Sequence, residues 1–404
     1  MPEPERRTRA DLTAVALISA LLLTAVAAVW WSSDARSTTL RAAATPGPGT
    51  QPPPATAVPV SLAEAWRAPS EATPQPVVPA GTVVTGQAGE VSGRDLVTGE
   101  VRWSYRRDLD LCTVAEAFSR VLAVYHRGSS CSEVTALEPA EGARGPQRTG
   151  PLDGATRLLF EGGGVIATGE RYVEAWRSDL VRTLEYGAVP TPVNPGAQPR
   201  SGCNYGSFGV VSGRLGLIER CPGEPADRLT VLRSDPEEAD RPEAEFSTLL
   251  GGRDADVVEL TRDRIAVALP HPARLVVLDG KGRRVAEHPL QVPAADLRGD
   301  PPGGVARVTA GTRGSYWFTG SSTVALSTDL RPLWIVPGTL GPGTVVAGRL
   351  LVPVPGGLAV LDTRSGRQLG LLPVDRGGWS GPVATASVSG VVLEQRGETL
   401  VALR

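Results

Sequence analysis

Residues 357–369 read Gly-Leu-Ala-Val-Leu-Asp-Thr-Arg-Ser-Gly-Arg-Gln-Leu, and residues 90–103 read Glu-Val-Ser-Gly-Arg-Asp-Leu-Val-Thr-Gly-Glu-Val-Arg-Trp. In both stretches a short segment is followed by Asp, by three further residues and by Gly, and a second short segment follows the Gly. An Asp side chain hydrogen-bonds the backbone of its own turn, and Gly adopts the positive φ that closes a tight hairpin. Each stretch is therefore predicted to form two antiparallel strands joined by a turn.

This strand-turn-strand unit recurs along the chain in weaker copies. The turn residues that fit it best are Asp95 with Gly99, Asp279 with Gly282, and Asp362 with Gly366. Turns fall near positions 95, 138, 178, 234, 279, 328 and 362, a spacing typical of four-stranded propeller blades. Most turns follow nearly continuous apolar runs, which are typical of strands covered on both faces. We predict an all-β fold, a β-propeller of antiparallel four-stranded blades, with eight blades favoured and seven possible.

The repeat leaves one outer strand missing at the C-terminal end. The segment Ser61–Pro69 has the pattern of an outer strand, and its Trp66 is placed as Trp103 and Trp334 are in their own repeats. We expect this segment to pair with Glu398–Arg404 and close the ring, which would remove two open sheet edges. The three tryptophans are predicted to pack between blades.

The repeat resembles that of the quinoprotein-type, pyrroloquinoline-quinone-like β-propeller family over roughly residues 61–404. The most specific residues are Asp95, Gly99 and Trp103, with Asp362 and Gly366. The family includes quinone-dependent dehydrogenases and non-enzymatic envelope proteins, often with eight blades. The resemblance therefore implies a fold and leaves the activity open.

The sequence lacks the residues that the resemblance would require for quinone chemistry. A dehydrogenase of that family needs two adjacent cysteines and a calcium held by Glu, Asn and Asp. No two cysteines here are adjacent, and the only asparagines are Asn194 and Asn204. The resemblance therefore implies the non-enzymatic, membrane-anchored branch, and we expect no catalytic residues, no cofactor and no metal site.

The other candidate residues carry no recognised catalytic pattern. The three histidines, His126, His271 and His288, share no ligand spacing. Trp317 and Trp379 are less tied to the repeat, which leaves a binding role open for them. The net charge of −2 and the lack of any nucleic-acid-binding motif argue against a nucleic-acid partner.

The N-terminal segment is predicted to be a membrane anchor. Leu12–Trp31 is a run of twenty uncharged residues, which as a helix of about 30 Å would cross a bilayer core. The charges of Arg6, Arg7 and Arg9 place residues 1–11 in the cytoplasm and the rest outside it. The alternative is a cleaved signal peptide, because Ala25-Val-Ala is an acceptable cleavage motif.

The remaining chain divides into a linker and a head. Residues 32–60 contain six prolines among small residues and are predicted to be an extended spacer, with the propeller domain at 61–404. The four cysteines are predicted to form the disulfides Cys112–Cys131 and Cys203–Cys221, one within each of two blades. A metal site is the alternative, but the cysteine spacing does not match a zinc motif.

These inferences predict a bacterial cell-membrane protein with an extracytoplasmic propeller. It would contact the lipid bilayer through residues 12–31 and serve as a binding or scaffold module for a protein or an envelope polymer. The alternative is a ligand sensor or a quinoprotein-like enzyme that uses the central channel.

Overall fold

A computed structural model describes residues 8–45, 47, 49 and 51–404. Helix α1 (Arg9–Ser32) begins with a capping box, in which Thr8 and Asp11 exchange side-chain and backbone hydrogen bonds. A short helix α2 (Asp34–Ser37) follows. Arg6 and Arg7, and the linker residues Pro46 and Pro48, lie outside the described residues.

The described part of the chain contains 32 strands. The first seventeen are β1 (Thr39–Arg41), β2 (Glu64–Pro69), β3 (Val83–Gln87), β4 (Glu90–Arg94), β5 (Val101–Arg106), β6 (Leu111–Ala117), β7 (Arg120–Arg127), β8 (Ser130–Leu137), β9 (Arg144–Thr149), β10 (Leu158–Phe160), β11 (Val165–Ala167), β12 (Tyr172–Trp176), β13 (Arg182–Gly187), β14 (Asn204–Val211), β15 (Arg214–Arg220), β16 (Arg228–Arg233) and β17 (Ala244–Leu249).

The other fifteen strands complete the head. They are β18 (Asp256–Leu260), β19 (Arg264–Pro270), β20 (Ala273–Asp279), β21 (Arg284–Pro289), β22 (Arg307–Gly311), β23 (Gly314–Phe318), β24 (Ser322–Ser327), β25 (Pro332–Pro337), β26 (Thr344–Val346), β27 (Arg349–Val354), β28 (Gly357–Leu361), β29 (Gln368–Pro373), β30 (Val383–Val388), β31 (Val391–Arg396) and β32 (Thr399–Leu403).

These strands form eight antiparallel sheets of four strands, which confirms the predicted eight-bladed propeller. Blades 2 to 7 each use four consecutive strands, from β6–β9 to β26–β29. Blade 1 has the order β1-β5-β4-β3, and blade 8 has the order β2-β32-β31-β30. Among the described residues, a hydrophobic cluster lies between every two neighbouring blades, including blades 8 and 1. The core is therefore a ring of interfaces.

The ring closes as the sequence predicts. Strand β2 pairs with β32 from Glu64 opposite Leu403 to Pro69 opposite Thr399. Two backbone hydrogen bonds of 2.8 Å between Ala63 and Arg404 extend this ladder. The N-terminal segment thus supplies the outer strand of the last blade, and the edge of β32 is covered.

Blade 1 differs from the other blades at both of its edges. Its innermost strand is reduced to one bridge, between Val77 and Val84 on β3. Its outer edge gains β1, which pairs with β5 from Thr39 opposite Arg106 onward. The sequence pattern did not indicate this strand, because three residues within a proline-rich segment have no recognisable periodicity. Part of residues 32–60 therefore belongs to the head.

The tryptophans of the repeat each pack on the turn of the next blade. Each indole Nε1 donates to the carbonyl oxygen that follows the first turn residue: Trp66 to Leu96 at 3.1 Å, Trp103 to Pro139 at 2.7 Å, and Trp334 to Thr363 at 3.3 Å. The indole also covers the turn glycine, which leaves no room for a side chain there. The turn therefore serves blade-to-blade packing as well as hairpin closure.

The turn glycines provide a test of this packing. Gly366 has φ +68°, and a Cβ built on it would lie 2.7 Å from Cδ2 of Trp334. We expect Gly366→Ala to lower the free energy of unfolding by about 2–3 kcal/mol, because backbone strain and a clash with the indole add. Chemical denaturation of the full-length chain measures the loss.

Gly348→Ala in the same blade is the matched control. Gly348 has φ +74°, but no atom lies within 4 Å of a Cβ built there. Only the backbone strain of about 1 kcal/mol then remains. Equal losses in the two variants would show that packing between Trp334 and Gly366 contributes nothing.

Candidate functional site

The topology separates the two faces of the propeller. Because a blade has four antiparallel strands, the chain enters the innermost strand and leaves the outermost strand at the same end. All blade-to-blade connections therefore lie on one face, which we call the connector face. The Asp-Gly turns between third and fourth strands lie on the opposite face, which we call the turn face.

The predicted turn residues all lie on the turn face, between the third and fourth strands of their blades. Oδ1 of Asp95 accepts hydrogen bonds from the backbone N–H groups of Val97 and Thr98, each at 2.9 Å. Asp279 and Asp362 accept equivalent bonds from the backbone of their own turns. Their carboxylates are thus used in holding the hairpins.

The cysteines lie on the connector face at disulfide distance, in the predicted pairing. Cys112 pairs with Cys131 within blade 2, and Cys203 pairs with Cys221 in blade 4. Among the described residues, Cys112, Cys131 and His126 form one group of potential metal ligands within 4.8 Å. Because the two sulfurs are bonded to each other, His126 is the only member of this group left with an ordinary ligand atom.

A cavity of about 660 Å³ lies where the central channel opens on the connector face. Its wall is formed by three inner strands, β10, β22 and β30, by the end of β31, and by residues of five connectors. The lining comprises Glu71, Thr73, Pro74, Gln75, Pro76, Arg157, Leu158, Leu159, Pro302, Val305, Ala306, Arg307, Val308, Thr309, Pro342, Trp379, Pro382, Ala384, Thr385, Ala386, Gln395 and Gly397. The size is in the range of sites for small organic molecules.

The charged residues of this cavity are two arginines and Glu71. Arg157 directly precedes β10 in blade 3, and Arg307 begins β22 in blade 6. Burial lowers the pKa of both guanidinium groups, and the positive charge of Arg157 lowers the pKa of Arg307 further. Neither arginine forms an ion pair with a carboxylate among the described residues, and Glu71 is the only acidic residue of the lining. Both groups stay protonated at neutral pH, so the cavity wall carries two cations.

The connector of residues 290–306 packs against the inner strands near this cavity. Val305, in the connector that leads into blade 6, forms a parallel bridge with Phe208 on β14 of blade 4. A Cβ built on Gly303, which has φ +69°, would lie 2.4 Å from Cγ of Arg157. The absence of a side chain at Gly303 therefore lets this connector lie directly on the stem of Arg157.

A second, smaller cavity of about 180 Å³ adjoins the first through Arg307 and Pro382. Asp256 lines it, and burial followed by the negative charge of Asp300 raises the pKa of Asp256 to about 8. The Oδ1 atom of Asp256 has no hydrogen-bond partner among the described residues. Asp300 itself receives two hydrogen bonds from Arg220, at 2.6 and 2.8 Å.

The raised pKa of Asp256 predicts a dependence of stability on pH. In the unfolded chain this carboxyl ionises near pH 4, whereas in the folded chain it keeps its proton to about pH 8. Folded protein binds the extra proton between these values, so stability falls as pH rises through this window. We expect the Tm of the wild type to fall by a few degrees as the pH is raised from 4 to 9. Asp256→Asn should abolish this fall, which thermal unfolding at a series of pH values measures.

Asp254→Asn is the control for this experiment. Asp254 is an exposed neighbour of Asp256 and one of the charges that raise the pKa of Asp256. Because it lies at the surface, this variant should keep most of the pH dependence. If Asp256→Asn retained the whole fall in Tm, burial of Asp256 in its protonated form would be excluded.

Trp317 and Trp379, the two tryptophans of the head that the sequence ties less closely to the repeat, line these cavities. Trp379 lines the larger cavity and is 39% exposed, and its indole Nε1 donates to the Pro382 oxygen at 3.3 Å. Trp317 lines the smaller cavity and is buried. Trp66, Trp103 and Trp334 line neither of the two cavities.

Sequence reasoning did not identify Arg157, Arg307 or Asp256 as candidate residues. Each lies at the start of an inner strand, or just before it, where an apolar run begins. A charged residue at the start of an inner strand was the one sequence signal that could have identified these residues. It does not by itself identify a site, because the lack of an ion-pair partner for the arginines depends on residues that are distant in sequence.

Comparisons with known proteins agree with the fold and provide no assignment of family. No protein-family model and no curated protein matches the sequence. Membership of the quinoprotein-type repeat family therefore stays a prediction.

Two solved structures illustrate the similarity in fold. Dihydro-heme d1 dehydrogenase NirN, in complex with DHE, is 13% identical with a TM-score of 0.50, over 81% of this chain and 78% of that chain. AztD of Citrobacter koseri is 12% identical with a TM-score of 0.50, over 78% of this chain and 87% of that chain. Both are β-propellers. At these identities the similarity concerns the fold alone.

Proposed function

We propose that this chain is a membrane-anchored binding module whose propeller lies outside the cytoplasm and binds a protein or envelope polymer through the connector face. The observation that carries the proposal is the concentration on that face of the channel opening, both disulfides and the blade-to-blade connectors. A rigid ring would display these connectors in fixed positions, as binding loops on a scaffold are displayed.

The location rests on the N-terminal helix and on the cysteines. Among the described residues, one helix, Arg9–Trp31, is long and apolar enough to cross a membrane, with a mean hydropathy of 2.5 and no buried residues. Disulfides persist in oxidising compartments, which favours a head outside the cytoplasm. Protease added to intact cells stripped of their wall should digest the head. Digestion only after the cytoplasm is opened would contradict this location.

Site-specific crosslinking tests the binding face. A photo-crosslinking residue at Gln75, which is exposed at the cavity on the connector face, should give a reproducible adduct in intact cells. The matched control replaces Arg331, which is exposed in a turn on the turn face. Adducts from neither position, or equal adducts from both, would contradict binding through the connector face.

The second candidate function is a ligand sensor or a quinoprotein-like enzyme that uses the central channel. The cavity of about 660 Å³, with two arginines and Trp379 in its wall, favours it over a purely structural head. A small ligand of this cavity would raise the Tm of the full-length chain without any crosslinked partner. The two candidates therefore give different results in the same pair of experiments.

A further inference from the structure

Arg157 and Arg307 differ from most buried or half-buried arginines of the head. Those arginines are neutralised by carboxylates at 2.6–2.8 Å, in the pairs Arg148–Glu174, Arg200–Glu219, Arg220–Asp300 and Arg376–Glu394. Neither of the two cavity arginines forms an ion pair with a described carboxylate, and the acidic residue of the same lining, Glu71, instead accepts a hydrogen bond from the backbone N–H of Ala88 at 2.7 Å. Burying a charge without a partner is costly, so an anion supplied by a ligand would stabilise this wall.

The chemistry of the cavity describes the anion. Guanidinium groups recognise phosphate and carboxylate through paired N–H donors. Apolar groups, Leu158, Val308 and Trp379, line the same cavity. The cavity is also much larger than one inorganic anion requires. The occupant that fits is thus an anionic group carried on a larger organic body.

The attachment of the N-terminal helix indicates where this anion comes from. Strand β1 is antiparallel to β5, and Thr39 lies opposite Arg106, at the end of β5 that leads into the next blade. The first residue of the head is therefore at the connector-face rim of blade 1. Only residues 33–38 separate it from α1, a reach of at most about 20 Å.

The short tether also carries interfacial groups. The guanidinium carbon of Arg36 lies 3.9 Å from the ring centroid of Trp31. Tryptophan and arginine near the end of an apolar helix are typical of the membrane interface. With α1 in the bilayer, the rim of the connector face lies close to the membrane surface.

We propose that the channel opening on the connector face binds the phosphate of an anionic membrane lipid headgroup through Arg157 and Arg307. This inference rests on the proposed function, because it requires α1 to be retained as an anchor. It names the ligand class that the proposed function leaves open. Each arginine would supply charge-assisted hydrogen bonds, so losing one should weaken binding about tenfold or more.

The test uses the full-length chain in nanodiscs of phosphatidylcholine, with and without phosphatidylglycerol. The wild type should show a higher Tm with phosphatidylglycerol and should retain this lipid in native mass spectrometry after release into detergent. The variant with both Arg157→Gln and Arg307→Gln should lose both effects. Arg331→Gln, which removes an exposed arginine from the turn face, should behave as the wild type.

Two further variants and two soluble probes separate the remaining explanations. The variant with Arg157→Lys and Arg307→Lys keeps both charges and should retain part of the lipid effect, which guards against loss of folding in the Gln variant. Glycerol 3-phosphate and oligoglutamate are added to phosphatidylcholine nanodiscs. Stabilisation by either probe equal to that by phosphatidylglycerol would overturn the lipid assignment, in favour of a free phosphate or an acidic peptide.

The two proposals can fail separately. If wild type and the Gln variant retain equal amounts of phosphatidylglycerol, the lipid inference is wrong, while an adduct from Gln75 would still support the binding module. If the head is found released from α1 in cells, both the membrane anchoring and the lipid inference are contradicted.

Discussion

Removal of residues 397–404 is expected to leave the propeller unfolded or aggregated. The deletion removes β32, whose Leu400, Val401 and Leu403 are at most 1% exposed. Each such side chain contributes about 1.5–3 kcal/mol through burial, so three approach the whole stability of a typical domain, about 5–15 kcal/mol. The deletion also leaves β31 and β2 with unpaired edges, which promote aggregation.

The measurement is the yield and Tm of the full-length and truncated chains in the same detergent. Removal of Arg404 alone is the matched control, because it loses two backbone hydrogen bonds to Ala63 and no buried side chain. This control should melt within a few degrees of the parent. A chain lacking residues 397–404 that melted at the parent temperature would contradict closure of the ring by β2 and β32.

Glu394→Ala is expected to lower the free energy of unfolding by about 3–5 kcal/mol. The Glu394 carboxylate is fully buried on β31, and it receives hydrogen bonds from Arg376 at 2.7 and 2.9 Å and from Arg396 at 2.7 Å. The side chains of these arginines are at most 5% exposed. The variant would leave two buried cations without a counter-ion, which costs far more than the lost hydrogen bonds alone.

Glu64→Ala is the control, because it breaks an ion pair of the same chemistry at the surface. Arg67, the partner of Glu64, has a side chain that is 63% exposed, so the loss should not exceed about 1 kcal/mol. Denaturant titration of both full-length variants gives the comparison. A second variant, with Glu394→Leu, Arg376→Met and Arg396→Leu, should recover much of the loss, since it buries no charge. Similar losses for Glu394→Ala and Glu64→Ala would contradict this account.

Arg376 shows why breaking this network would also affect the ring. Its guanidinium donates to the carbonyl oxygens of Val354 at 2.7 Å and Gly357 at 2.9 Å, both in blade 7, while it pairs with Glu394 in blade 8. The charge network therefore joins two neighbouring blades. Its loss should lower the cooperativity of unfolding as well as the midpoint, which a smaller denaturant m-value would report.

The blade repeat could be predicted because its requirements are local. An Asp that bonds the next backbone N–H groups and a Gly with positive φ, as at Asp362 and Gly366, must lie close together in sequence. The role of Trp103 is not local, since its indole packs on the turn at Gly142 in the next blade. It could be predicted because tryptophans recur at the same position of several repeats, and neighbouring repeats must stack on one another. The same regularity predicted ring closure by the segment that contains Trp66.

The edge strand β1 and the cavity depend on contacts between distant residues. Three residues at 39–41 have too short a pattern to predict a strand, and their position follows from the free edge of β5. Arg157 and Arg307 are ordinary arginines in the sequence. They become unpaired cations because inner strands of blades 3 and 6 meet the same channel.

The sequence by itself determined the all-β architecture, the closure of the ring, the cysteine pairs and the apolar N-terminal helix, and it favoured eight blades over seven. All of these depend on periodicity, on turn chemistry or on the length of an apolar run, which a linear reading preserves. Only the tertiary structure decided the connector-face cavity, its two unpaired arginines and the raised pKa of Asp256. Those properties arise from burial and from charges brought together by folding, which no local stretch of sequence contains.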